Sequence, residues 1–328
     1  MKAWQVSQKA DQSIDTLSLN EVQVPEPQAD QVLVRLLEVG LNPVDYKIIE
    51  GGVDAWTFPH TVGIDGVGLI ERVGDGVTNV AVGDRVFYHG DLRKDGTLAE
   101  YALTDARGLA RVPDELSNET AAAILCSAMT AYQALYRKAN LTNKQTILVH
   151  AGGGNVGVVA IQLAKQLGLT VISTTSKRKQ SLVEEAGADF IINYRDEDVT
   201  KRVMELTDGK GVDLSLNTVG GAEIKSDLER MAYNGQILVV GDGIPADLDL
   251  DQRATSIARL ALGGVYRSDN TNEIKDLGRM ATELAGMAVN HRLEVPFDQS
   301  FGFNEVPAAL QAIKNGSALG KLTIKVSE

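Results

Sequence analysis

The stretch VHAGGGNVGVVAIQLAK, residues 149–165, leads from a β-branched apolar run through glycines into residues with helical apolar spacing. A strand, a glycine turn and a helix, in that order, make the cradle that a pyrophosphate needs. Gly152, Gly154 and Gly157 supply G-x-G-x-x-G, with Asn155 and Val156 inside the turn. One glycine permits the tight bend, one lets the backbone approach the pyrophosphate, and one lets helix and strand pack closely. The helix N-terminus then faces the anion. The pattern points to a dinucleotide site.

Working outward, short apolar strands alternate with amphipathic helices. TILVHA, TVIST, FIINY, VDLSLN, QILVVG and GGVYR read as strands; KRKQSLVEEAG and EDVTKRVMELTDG read as helices between them. Repeated β-α-β units imply a parallel sheet covered on both faces, the doubly wound α/β design. Before residue 120 the chain is β-rich, with QVLVRLLEVGLN and GVGLIERVG punctuated by GDGV and VGDRV turns. SNETAAAILCSAMTAYQALYRKAN then has helical spacing, with Ser117 or Asn118 as N-cap. The C-terminal segment breaks the alternation: a helix EIKDLGRMATELAGMAV, a strand, a helix EVPAALQAIKNG and a final strand KLTIKV. The expectation is a first domain of residues 1–123 completed by 268–328, with a dinucleotide-binding domain of residues 124–267 between.

The chain has 328 residues, enough for two domains with sizeable cores. Its 44% hydrophobic and 23% charged residues are those of an ordinary globular protein. A net charge of −12 argues against nucleic acid or an anionic membrane as the main partner. MKAWQVSQKADQS at the start lacks the apolar core of a secretory signal, and no apolar run approaches the ~20 residues that span a bilayer. A cytoplasmic enzyme with a small-molecule substrate is expected. Cys126 is the single cysteine, which excludes an intramolecular disulfide and a four-cysteine zinc site. His60, His89, His150 and His291 are scattered, without the i, i+4 pairing of a helical metal site.

The end of the second strand decides which dinucleotide is meant. An NAD site places Asp or Glu there to hold the ribose 2′-OH. VISTTSKRK, residues 171–179, has no acid; it has Ser173, Thr174, Thr175, Ser176, Lys177 and Arg178. Hydroxyls and cations suit a 2′-phosphate. Cations are slightly unfavourable at a helix start, so their placement is best understood if an anion sits there. NADPH is the expected cofactor. Asn217, Val219 and Gly220 after the fourth strand, with Gly241 and Asp242 after the fifth, stand at carboxyl ends of strands, where ligands bind.

The motifs LNPVDYK, TVGIDGVGLIERVG, VGDRV, GTLAEYAL, AAAILCSAMTAY, AGGGNVGVVAIQLAK, GADFIINYR and GKLTIKV follow one another along nearly the whole chain. In this order the sequence resembles the medium-chain dehydrogenase/reductase superfamily, and within it the zinc-free quinone oxidoreductase (zeta-crystallin-like) branch. The resemblance implies a GroES-like catalytic domain from both chain ends and a Rossmann domain between them. It implies that Tyr194 lies with Lys177 beside the 2′-phosphate. Thr130, at the first turn region shared by both domains, is expected to contact the nicotinamide. The resemblance also implies a homodimer paired through the edge of the Rossmann sheet, here GGVYR around residues 263–267. Asn155 stands where the branch usually has another glycine, which puts the geometry of the turn in question.

Zinc members of the superfamily place ligands at the positions of Asn42, Ile64 and Cys126. Ile64 supplies no donor, so no metal is expected, and Cys126 reads as a small buried hydrophobe. Without a Lewis acid, hydride is best delivered to an acceptor that spreads its charge, a quinone or an α,β-unsaturated carbonyl. Such an acceptor still needs donors at its oxygen and a proton. Asn42 offers an amide; Tyr46 and Lys47, with reference pKa values of about 10 and 10.4, are protonated donors. The branch often sets its pocket tyrosine five residues after the asparagine. Here Tyr46 falls at four and Lys47 at five, so both stay open. Relatives that reduce alkenals and enones share NPVDYK. Asp45 and Asp65 match positions that support the metal in zinc relatives and here read as hydrogen-bonding partners. Tyr88 and His89 line the pocket mouth or merely pack. The function expected is NADPH-dependent reduction of quinones or activated alkenes. The alternatives are a zinc-type alcohol dehydrogenase, disfavoured by Ile64, and a non-catalytic NADPH-binding sensor or structural protein.

Overall fold

The apolar runs between residues 146 and 260 pair as a six-stranded parallel sheet in the computed structural model, which describes residues 1–241, 243–251 and 253–327. Its strand order is Phe190–Asn193, Thr170–Thr175, Thr146–Val149, Val212–Asn217, Met231–Val240 and Ser256–Leu260. All five pairings are parallel. In sequence terms the order is 3-2-1-4-5-6, the dinucleotide-binding arrangement, whose chain reversal falls beside the first strand. Ile147, Leu148 and Val149 are fully buried, as a strand covered on both faces requires. This sheet and its helices form one unit, Thr130–Leu262.

The second unit combines Met1–Met129 with Gly263–Glu328. Its main sheet runs Phe297–Gly302, Lys321–Lys325, Gln31–Gly40, Asp65–Val73, Arg85–His89 and Ala110–Arg111, with Tyr101–Asp105 also paired to Gln31–Gly40. A three-stranded sheet of Ser18–Glu21, Lys2–Val6 and His60–Thr61 accompanies it. Together they form a β-rich, GroES-like unit around a core that includes Val34, Leu36, Val39, Ile70, Val86 and Leu98. The final strand KLTIKV joins the sheet of the N-terminal segment, pairing Thr323 with Gly40.

The units divide at Met129/Thr130 and Leu262/Gly263, against sequence breaks placed at 123/124 and 267/268. The helical stretch after Ser117 is held to the first unit because Gly40 brings it in. A Cβ at Gly40 would lie 2.5 Å from the Ala122 carbonyl oxygen, so only glycine allows the Asn118–Ala123 helix to cross the strand so closely. That helix does not continue smoothly. Leu125, at φ −56° and ψ −121°, breaks its path before Met129–Tyr132 resumes.

GGVYR is not a strand. Leu262–Arg267 forms a 3-10 turn, and the Tyr266 hydroxyl donates to the His89 carbonyl at 2.7 Å. Paired glycines disfavour a strand, and the tyrosine ties the returning chain to the first unit. The outer strand of the parallel sheet is Ser256–Leu260. Among the described residues no helix is long and apolar enough to cross a membrane.

Candidate active site

In the parallel-sheet unit the glycine turn joins Thr146–Val149 to the helix Asn155–Gln166. A Cβ at Gly152 would fall 1.9 Å from the Ser173 hydroxyl, and one at Gly157 would meet Ala151 O and Gly152 Cα at 2.6 Å. These two glycines are therefore needed for packing. Gly154 is the N-cap and has no side chain to offer the first turn, so the N–H groups of Asn155, Val156 and Gly157 are open to an anion. Asn155 is itself the first helical residue and needs no left-handed conformation. Ala151 adopts it instead, at φ 50°.

The hydroxyls after the second strand have separate tasks. Ser173 is wholly buried and donates to the Val149 carbonyl at 3.1 Å. The Thr174 hydroxyl accepts from Ala151 N at 3.2 Å and lies 3.4 Å from His150 Nδ1. Both brace the turn from inside, which corrects their expected role as phosphate contacts. Thr175 is also buried. Ser176 and Lys177 emerge at the strand end. Ser176 caps the following turn without a side-chain bond, and Lys177 is exposed with no ionic partner among the described residues. Tyr194 is 49% exposed, with the Arg195 guanidinium 6.0 Å from its ring centre. Thr130 is buried at the start of the unit.

Asn217 is fully buried and committed. Its Nδ2 donates to Asp227 at 2.8 Å, and its Oδ1 accepts from Val219 N and Gly220 N. These three bonds shape the turn that follows the fourth strand. Val219 is exposed and Gly241 has φ 87°; Asp242 lies outside the described residues.

Behind these turns lies a network that sequence reasoning missed. Asp227 accepts from His150 Nε2, Ser215 and Asn217, each at 2.8 Å, and from Arg230 at 3.2 Å. Arg230 also binds Glu223 and donates to Thr200 at 2.9 Å. Burial alone would raise the Asp227 carboxyl, but the His150 interaction and these bonds hold it below its usual range. The available signal was polar residues at the ends of apolar strands, His150, Ser215 and Asn217, which must find partners when buried.

The first unit holds a second buried polar cluster. Asp65 and His89 face each other on adjacent antiparallel strands, and His89 Nδ1 lies 2.7 Å from Asp65 Oδ1. Asp65 Oδ2 accepts from Asn42 Nδ2 at 2.8 Å and from the Cys126 backbone N–H at 3.1 Å, which the break at Leu125 presents to it. Lys321, with no solvent exposure, donates to Asn42 Oδ1 at 2.5 Å and stands 3.7 Å from Asp65 Oδ2. Burial would raise the Asp65 carboxyl; the His89 bond, Lys321 and Asn42 hold it below its usual range. Asp45 accepts from Asn42 N at 2.7 Å through Oδ2, while its Oδ1 is buried with no hydrogen-bond partner. Burial and the neighbouring Asp65 charge push Asp45 up to about 7.

Asn42 was expected to donate to substrate. Its Nδ2 protons already go to Gly40 O at 3.2 Å and to Asp65, so it is a hub of the cluster. Tyr46 and Lys47 do not join it. Tyr46 packs partly buried against the apolar core, within electrostatic reach of Lys314. Lys47 is exposed on the Pro43–Gly51 helix. Cys126 is half-buried and Tyr88 wholly buried, with its hydroxyl unpartnered.

Residues 28–114 match the family model described as alcohol dehydrogenase GroES-like domain, and residues 155–283 that of zinc-binding dehydrogenase. The chain is 32% identical over 258 residues to the quinone oxidoreductase of Mus musculus, covering 77% of each. It belongs to the quinone oxidoreductase branch of the medium-chain dehydrogenase/reductase superfamily. The Pseudomonas syringae pv. Tomato DC3000 quinone oxidoreductase superposes with a TM-score of 0.90 at 29% identity, over 99% of both chains. A mycobacterial protein solved in complex with NADPH superposes at 0.86 and 27% identity, covering 99% of this chain and all of that one. This quinone oxidoreductase homologue does not fit the superfamily's zinc set. Ile64 is a buried hydrocarbon, and the Asn42 amide is occupied by Lys321, Gly40 and Asp65.

Proposed function

We propose that the chain is an NADPH-dependent oxidoreductase acting on a quinone or an α,β-unsaturated carbonyl. The carrying observation is Lys177, without an ionic partner among the described residues, beside Ser176 at the end of a second strand that has no acid. The bound cofactor supplies the hydride. The N–H groups opening the Asn155–Gln166 helix hold its pyrophosphate, while Lys177, Ser176 and Tyr194 hold the 2′-phosphate. Among the residues proposed for the acceptor, Lys47 keeps its ammonium unpaired among the described residues, whereas Asn42 is fully bonded. Lys47 is therefore assigned the donor role at the acceptor oxygen.

A charge-assisted phosphate bond is worth about 1.5–3 kcal/mol. Fluorescence titration should therefore give NADPH more than about tenfold tighter binding than NADH, with the difference largely lost in Lys177→Ala. Equal affinities in the unaltered chain would refute the assignment. Consumption of NADPH with a quinone and then with a small enone separates the two acceptor classes, and turnover of neither would favour the non-catalytic reading. A homodimer is also proposed, with Ser256–Leu260 as the strand edge offered to the partner. A monomer mass in solution scattering would overturn it.

A further inference from the structure

Two turns of the parallel-sheet unit are tied to one buried carboxylate. The glycine turn follows His150, at the end of the first strand, and residues 218–221 turn after Asn217, at the end of the fourth. These strands are neighbours, and a dinucleotide crevice opens beside them, where the strand order reverses. We propose that Asp227 is a positioning residue for the cofactor, an assignment that rests on the NADPH reading. It holds both turns in the arrangement that receives the dinucleotide.

Each oxygen of the carboxylate serves a different side. Oδ1 accepts from His150 Nε2 at 2.8 Å and from Arg230, on its own helix, at 3.2 Å. Oδ2 accepts from Ser215 and from Asn217 Nδ2, both at 2.8 Å. That fills the roughly four lone-pair sites of a carboxylate. On one side the tie runs on to Thr174, whose hydroxyl lies 3.4 Å from His150 Nδ1 and accepts from Ala151 N at 3.2 Å. On the other, Asn217 Oδ1 accepts from Val219 N and Gly220 N at 3.0 and 2.8 Å. The Thr218 hydroxyl donates to the His150 carbonyl at 3.2 Å, a second link between the turns.

Both turns need such a brace. Ala151 sits at φ 50°, and Gly220 and Gly221 at 81° and 55°. Adjacent glycines leave the second turn many alternatives, which the Asn217 amide narrows. Stability does not explain the choice of groups. His150, Asp227 and Arg230 are all buried, and packed hydrocarbon in place of a buried ionic set is often neutral or stabilising. Hydrocarbon supplies no direction, whereas four directed bonds to one carboxylate fix both turns at once.

The test is fluorescence titration of the purified full chain with NADPH and with NADH, circular dichroism checking that each variant is folded. Asp227→Asn keeps a single acceptor oxygen, so either His150 or the Ser215 and Asn217 pair is left facing an NH2 group. One turn is released whichever way the amide lies. If the receptive arrangement falls to about one-tenth of the population, apparent dissociation constants rise about tenfold. The expected result is that rise for both dinucleotides with their ratio unchanged, because they share the pyrophosphate and the nicotinamide. Lys177→Ala should change the ratio instead. Val203→Ala, which opens a cavity in the apolar core of the same unit, is the control; it destabilises and should leave both affinities within about twofold. Thr174→Val removes the link from His150 to Ala151 without touching a charge, should weaken both by about threefold, and decides if Asp227→Asn does not fold. Unchanged affinities, a loss confined to NADPH, or an equal loss in Val203→Ala would each overturn the proposal. Equal affinities in the unaltered chain refute only the 2′-phosphate assignment, whereas binding of neither dinucleotide overturns the cofactor reading and the role of Asp227 with it.

Discussion

Replacing Lys321 by methionine keeps most of the buried stem and removes only its charge. The ammonium stands 3.7 Å from Asp65 Oδ2 and 2.5 Å from Asn42 Oδ1, with no solvent exposure. At an effective permittivity of about 20 that ion pair is worth roughly 4–5 kcal/mol, and the charged hydrogen bond about 1.5–3 more. Against this stands the relief of no longer desolvating an ammonium, several kcal/mol. The net cost expected for Lys321→Met is about 3–5 kcal/mol, as for other buried pairs deprived of one partner. The cost should depend on pH. Asp45, with its carboxyl near 7, adds a second negative charge to the cluster at about pH 8 and almost none at about pH 5.5. The penalty should be larger at the higher pH by roughly 1–2 kcal/mol. Urea denaturation followed by tryptophan fluorescence reads this unit alone, because Trp4 and Trp56 both belong to it. A loss below about 1 kcal/mol, or the same loss at both pH values, would show that Lys321 is not the counter-charge of the cluster.

Other expectations follow from the same geometry. The Asp45 carboxyl is raised in the fold, so its contribution to stability is greatest below about pH 4 and falls away as pH rises through about 7; Asp45→Asn should flatten that decline in urea midpoints, and an unchanged slope would rule it out. Ala151 holds φ 50°, a conformation that costs an L-residue about 1–2 kcal/mol, partly balanced by the chain entropy of glycine. Ala151→Gly should therefore raise stability by about 0.5–1 kcal/mol in thermal melts followed by circular dichroism, and a lowered melting temperature would contradict the reasoning. Lys47→Met should lower kcat by about 100-fold with NADPH affinity within about twofold, whereas Tyr46→Phe should change kcat little; steady-state kinetics with near-normal kcat in Lys47→Met would mean that water delivers the proton.

Sequence pattern alone was enough for the parallel sheet, because strands buried on both faces leave continuous apolar runs such as TILV and ILVV, and helices between them keep the 3.6-residue period. The glycine turn was equally legible, since its spacing is demanded by contacts as close as Gly152 on Ser173. Individual hydroxyls were not. Ser173 and Ser176 look alike in STTS, yet strand alternation and burial commit one to Val149 and leave the other at the strand end. GGVYR misled because five residues cannot distinguish a strand from a turn tied down by a tyrosine hydroxyl. The Asn42 cluster was beyond reach for a different reason. His89 meets Asp65 only through antiparallel register, and Lys321 reaches Asn42 across 279 positions of chain.

The late arrival of Lys321 has a consequence for the order of events on the ribosome. The Thr130–Leu262 unit is continuous and can fold as soon as it has emerged. The first unit cannot, although its first 129 residues are made earlier. Its sheet lacks Lys321–Lys325, which enters between Gln31–Gly40 and Phe297–Gly302, and Asp45 and Asp65 wait with no ammonium to balance them. The half made first is therefore finished last. During that interval the edge of Gln31–Gly40 that Lys321–Lys325 will cover is bare, and chaperone capture or misassociation of the nascent chain should concentrate there.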